Sequence, residues 1–177
     1  RPLVSLLLHN ADQRLYGRKI RSLDGARTVY WGDVRNCVKT PKISQTVTFL
    51  DGSNAAGFAR TLEEVLDFNV HYTVRPTDQV DSRIKPFTKG VNAAVLGAII
   101  LADCSVPDAV EFLGADYPFL IPFNGEAEVL DGLDHLRESY GAAEWFFAKD
   151  RCFGMADRVS PMALAGQITH IIRETKN

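Results

Sequence analysis

Cysteine is scarce in this chain, and what there is stands apart. Cys37, Cys104 and Cys152 form no Cys-x-x-Cys pair and no Cys/His cluster, so nothing points to a disulfide framework or a zinc site. Long apolar runs are missing as well. The longest, near Ala98 to Ala102, falls far short of the roughly 20 residues a membrane-spanning helix needs, and Leu3 to Leu8 lacks the length and cleavage site of a secretory signal. There is no excess of charge of one sign: 20 basic and 22 acidic side chains leave a formal net charge of −2. That balance gives no general attraction to nucleic acid or to an anionic membrane, and the short patch Arg18-Lys19-Ile20-Arg21 is too small to line a nucleic-acid groove. No Gly-x-Gly-x-x-Gly follows the first predicted strand and no Walker lysine loop is present, which argues against dinucleotide and P-loop chemistry. Repeats and low-complexity tracts are absent too. These exclusions lead us to expect a soluble, cytoplasmic protein.

What is present suits one domain with a sizeable core: 177 residues, 46% hydrophobic and 24% charged. Leu3 to Leu8 reads equally as a buried strand or a short helix. His9 and Asp12, just beyond it, are close enough to suggest catalysis but read better as surface polar residues after a core segment. Strands are predicted at Ala26–Trp31, ending at Gly32, at Thr46–Leu50 and at Asn69–Val74, where Arg75-Pro76 ends the run. Between the last two, Asp51 to Asn54 caps a helix whose apolar face is Phe58, Leu62, Val65 and Leu66.

The most informative stretch is 85–103. Pro86 fits a first helical turn, Thr88 and Lys89 fall where backbone donors are still unpaired, and Phe87, Val91 and Val95 make an apolar stripe. Small residues at Gly90, Ala93, Ala94 and Gly97 permit close approach to a sheet, and Ala98 to Ala102 reads as a buried strand. Lysines and a hydroxyl at a helix start make a cradle for an anion such as phosphate. Downstream, Pro107 to Leu113 is a short helix closed by Gly114, and Tyr117 to Ile121 a strand stopped by Pro122. A helix from Glu126 ends before Gly141, Ala142 to Met155 is helical and packed at an edge, and Ser160-Pro161 starts a last helix with the stripe Leu164, Ile168, Ile171 and Ile172. The sum is an α/β, Rossmann-like layered domain with a mostly parallel sheet and C-terminal helices. In that class ligands collect outside the carboxyl ends of the strands, which makes Gly32, Asp33, Arg35, Arg75 and Asp103 candidates by position.

The basic loop, the helix with Ala93-Ala94 near its end, Gly97 and the β-branched run after it resemble the donor-binding domain of GT-B fold glycosyltransferases. The likeness spans roughly 27–176 and is strongest between Arg75 and Asp103; Glu144-Trp145 matches it weakly. It implies that residues 27–177 form a nucleotide-sugar-binding domain and that residues 1–26 belong to the end of a preceding domain or a linker. It further implies substrate contacts at Gly32, Arg75, Lys85, Thr88, Lys89 and Asn92, with the leaving diphosphate held by charge rather than by a bound metal or other cofactor. Asn92 stands where many members place a glutamate against ribose or sugar hydroxyls, and an amide can still make such contacts. No catalytic base is assigned, since in this class it usually comes from the other domain; a second Rossmann-like domain or subunit is therefore expected. The alternatives are a non-catalytic nucleotide- or phosphosugar-binding module, and an α/β protein-interaction domain of the receiver type. For the last, Asp33, Asp51 and Asp103 lie near strand ends, but no adjacent acidic pair accompanies them.

Overall fold

A computed structural model describes residues 9–76 and 86–175 of the chain. Five strands form one sheet, β1 (Thr28–Gly32), β2 (Val47–Asp51), β3 (Val70–Tyr72), β4 (Ile99–Asp103) and β5 (Leu120–Ile121), all parallel and in the spatial order β2-β1-β3-β4-β5. Among the described residues six α-helices accompany them: α1 (Ala55–Thr61), α2 (Thr88–Leu96), α3 (Pro107–Leu113), α4 (Glu126–Glu138), α5 (Ala143–Arg158) and α6 (Pro161–Thr175). This is the Rossmann-like α/β class expected. No helix among the described residues is long and apolar enough to cross a membrane.

Parallel sheets are covered on both faces, which is why their central strands read as continuous apolar runs instead of alternating ones. β4 is buried along its whole length and β1 along its first four residues. Within β1 the alternation of side chains divides the core. Val29 and Trp31 join Leu15, Leu62, Val65, Leu66 and Phe68, while Tyr30 faces the larger cluster that holds Tyr72, Val91, Ile100 and Leu113. Leu15 and Ala11 are buried, so the segment before β1 packs into the domain, and Arg21 N–H reaches Leu66 O at 2.9 Å.

Four elements depart from expectation, each for a local reason. The helix predicted through Phe58–Leu66 ends at Thr61, and Glu64–Asp67 is a tight 3-10 turn. Thr61 Oγ1 donates to Gly57 O at 2.9 Å and accepts Trp31 Nε1–H at 2.7 Å, which ties the helix end to β1. Pro86 lies outside α2, whose N-cap is Phe87. The Phe87 ring is buried over Gly90, where a β-carbon would overlap it, so the chain turns into the helix only after that ring is seated. The strand predicted at Tyr117–Ile121 shrinks to its last two residues because Tyr117 turns inward, its hydroxyl accepting Ile100 N–H at 3.0 Å. α5 is not peripheral: Trp145, Ala148, Cys152 and Met155 are buried, and the helix packs on α2 and β4.

Candidate functional site

In the order β2-β1-β3-β4-β5 the chain runs outward from β1 in one direction to β2 and then returns past β1 to β3. The carboxyl ends of β1 and β3 therefore border the switch point where ligands of doubly wound sheets bind. β1 ends on Gly32, whose φ of +145° is a conformation few other residues adopt. The missing side chain also admits Lys89 from the first turn of α2, since a β-carbon at Gly32 would come 3.0 Å from both Cε and Nζ of that lysine. Lys89 Nζ lies 5.1 Å from the centre of the Tyr30 ring, within cation–π range. Tyr30 donates its hydroxyl to Asp33 O at 2.6 Å, and burial raises its pKa, so it stays a neutral phenol. Asp33 is occupied with Arg35, which holds its carboxyl down at about 2.

Arg75, just beyond β3, is only 7% exposed, and one terminal guanidinium nitrogen, Nη1, has no hydrogen-bond partner among the described residues. Burial lowers its pKa, opposed by the electrostatic influence of Tyr30 and Asp108. Asp108, in the first turn of α3, is hydrogen-bonded through Oδ2 to His9 Nε2 at 2.7 Å, and the His9 ring stands edge-on to Phe112 at 5.0 Å. His9 is thus half-buried and fixed, not the free surface residue expected, and Asp12 caps a separate turn with Arg14. An unpaired buried guanidinium nitrogen is expensive, so a place where one persists is a place suited to an anion.

Phe87 supplies no side-chain cap to α2, whose start carries the partial positive charge of the helix beside Gly32. Thr88 is exposed there. Asn92 is half-buried, and its Oδ1 already accepts Asp12 N–H at 3.0 Å, which leaves its amide nitrogen as the group available to a hydroxyl. Asn92 and Lys89 share the wall of a small cavity of about 20 Å³ with Trp31, Thr73 and His71. His71 is buried, its Nε2 has no partner among the described residues, and burial pushes its pKa down to about 4. At the next strand end, Asp103 is turned back on its own chain, accepting Ser105 N–H and Oγ–H at 2.8 and 2.7 Å. Cys37 beneath Tyr30 is pushed up to about 11 by burial and stays a thiol.

Of the residues singled out in the sequence, Gly32, Lys89, Asn92 and Arg75 fall around the carboxyl ends of β1 and β3, with Thr88 on the rim; Lys85 lies outside the described residues. Tyr30, His71, His9 and Asp108 were not singled out as binding partners. Tyr30 reads as an ordinary strand aromatic, and Asp108 is brought near Arg75 only by the β4–α3 turn. Neither a protein-family model nor a curated protein matches the chain.

Proposed function

We propose that this chain is the donor-binding part of a GT-B type glycosyltransferase, holding a nucleotide-sugar at the β1/β3 switch point. The observation that carries the reading is Arg75: a buried residue just beyond β3 whose guanidinium nitrogen Nη1 has no hydrogen-bond partner among the described residues. A diphosphate satisfies such a group with charge-assisted hydrogen bonds, and the start of α2 adds backbone donors. Asn92 Nδ2 then meets a ribose or sugar hydroxyl. In the reaction the bond from the anomeric carbon to the diphosphate breaks while the acceptor oxygen bonds that carbon. Charge accumulates on the leaving diphosphate, where Arg75 and Lys89 stabilise it. The acceptor's proton goes to a base outside this chain, on a second Rossmann-like domain or subunit that also closes the site against water.

The test is calorimetric titration with UDP-, GDP- and ADP-sugars. One of them binds saturably at one site, and Lys89→Ala weakens it while thermal melts stay nearly unchanged. Absence of saturable binding across the panel would overturn the reading. A non-catalytic nucleotide-binding module predicts the same binding but no transfer after the partner domain is supplied.

A further inference from the structure

A second cleft, larger than the cavity beside Asn92, lies at the opposite end of the sheet. Its volume is about 580 Å³, within the range of about 300–1,000 Å³ usual for small-molecule sites. Asn69 and Ile99, at the amino-terminal ends of β3 and β4, and Gly97, at the end of α2, form its floor, so it shares no wall with the switch point. Residues 17–23 bridge it as a strap. The strap is tied to Leu66 O by Arg21 N–H and to α4–α5 by the Tyr140 hydroxyl, which donates to Leu23 O.

The lining has a distinct chemistry. Four basic side chains, Arg18, Lys19, Arg21 and Lys149, contribute to it, and among the described residues no acidic one does. The two arginines are paired with Glu63 and Asp67, which lie outside the cleft, so the lysines supply the excess positive charge. The end of α2 opposes them with only about half an elementary charge. Phe153 is 47% exposed, and Lys149 Nζ stands 5.8 Å from its centre. Its ring would touch a β-carbon at Gly97 at 3.6 Å, and Trp145 completes the aromatic wall beside Tyr140. Flat apolar walls with uncompensated ammonium groups suit one kind of ligand.

We infer that this cleft is a second binding site, independent of the nucleotide-sugar reading, and that it takes a small planar aromatic anion: the ring lies against Phe153 and the anionic group meets Lys149 and Lys19. The probe is 1-anilinonaphthalene-8-sulfonate, compared with neutral N-phenyl-1-naphthylamine, which lacks only the sulfonate. The sulfonate binds the native protein saturably at one site, at least tenfold tighter than the neutral compound, with energy transfer from Trp145. Lys19→Glu with Lys149→Glu lowers sulfonate affinity at least tenfold while leaving the neutral compound within about twofold. Ser22→Trp, which adds bulk from the exposed strap, weakens both, and circular dichroism verifies that each variant is folded. Equal affinity for the two compounds, or retention of sulfonate binding in the double variant, overturns the inference. So does loss of binding in Lys89→Ala, which would place the probe at the switch point, or in Phe147→Ser, which would place it on the exposed face of α5 turned away from Lys149 and Phe153.

Discussion

Replacing Arg75 by methionine separates a binding residue from a structural one, because the two roles predict opposite signs for stability. Methionine keeps much of the aliphatic length and removes the charge. In the wild type Arg75 is 7% exposed and its Nη1 has no hydrogen-bond partner among the described residues. A buried polar group without a partner costs about 1–3 kcal/mol. The attraction of Asp108 recovers part of that, and Asp108 keeps its bond to His9 in the variant. The net expectation is that Arg75→Met is more stable by about 1 kcal/mol, read as a higher urea midpoint with an unchanged slope. Binding moves the other way. One or two hydrogen bonds to a charged group, each about 1.5–3 kcal/mol, correspond to a loss of diphosphate affinity of roughly tenfold or more. Urea melts followed by tryptophan fluorescence, with calorimetry on the same samples, measure both. A variant that is less stable by more than about 1 kcal/mol yet binds diphosphate normally would refute the reasoning, since Arg75 would then be the ion-pair partner that Asp108 requires.

His71 gives a pH signature. Its folded pKa of about 4 lies below its ordinary value of 6.5, so between these limits the unfolded chain binds the extra proton and stability is lost as pH falls. The shift corresponds to about 3 kcal/mol between pH 7 and pH 4; a His71→Gln variant whose urea midpoint follows the wild-type pH dependence would show that another group is responsible. Gly90→Ala places a methyl group into the Phe87 ring and should cost about 1–3 kcal/mol, visible in thermal melts, and a neutral outcome would mean that Phe87 can swing aside freely. Nucleoside-diphosphate affinity should fall more steeply with added salt than affinity for the bare nucleoside, since charge carries the difference; parallel salt dependences in calorimetry would count against the lysine and arginine contacts.

Much of the fold was legible locally. Thr28 to Trp31 and Ile99 to Ala102 are unbroken β-forming or apolar runs, and only a strand covered on both faces buries every residue of such a run. Pro107 and Gly114 bracket α3 as first-turn proline and terminal glycine should, and Gly97 ends α2 in the left-handed conformation. Alternation of these strands with helices was enough to give the α/β class and to point to the strand ends where Gly32 and Arg75 lie. Tertiary structure decided what no local pattern encodes. Thr61, the last residue of α1, is tied to Trp31, 30 residues away, which donates to its hydroxyl. Arg75 could have been an exposed strand-end cation; packing buries it and leaves Nη1 without a partner among the described residues. The strand order that makes β1 and β3 neighbours, the approach of Lys89 over Gly32 and the cleft beneath the strap at 17–23 all depend on which distant segments share a surface. That choice follows from the summed burial of the whole core, and no single stretch of sequence carries it.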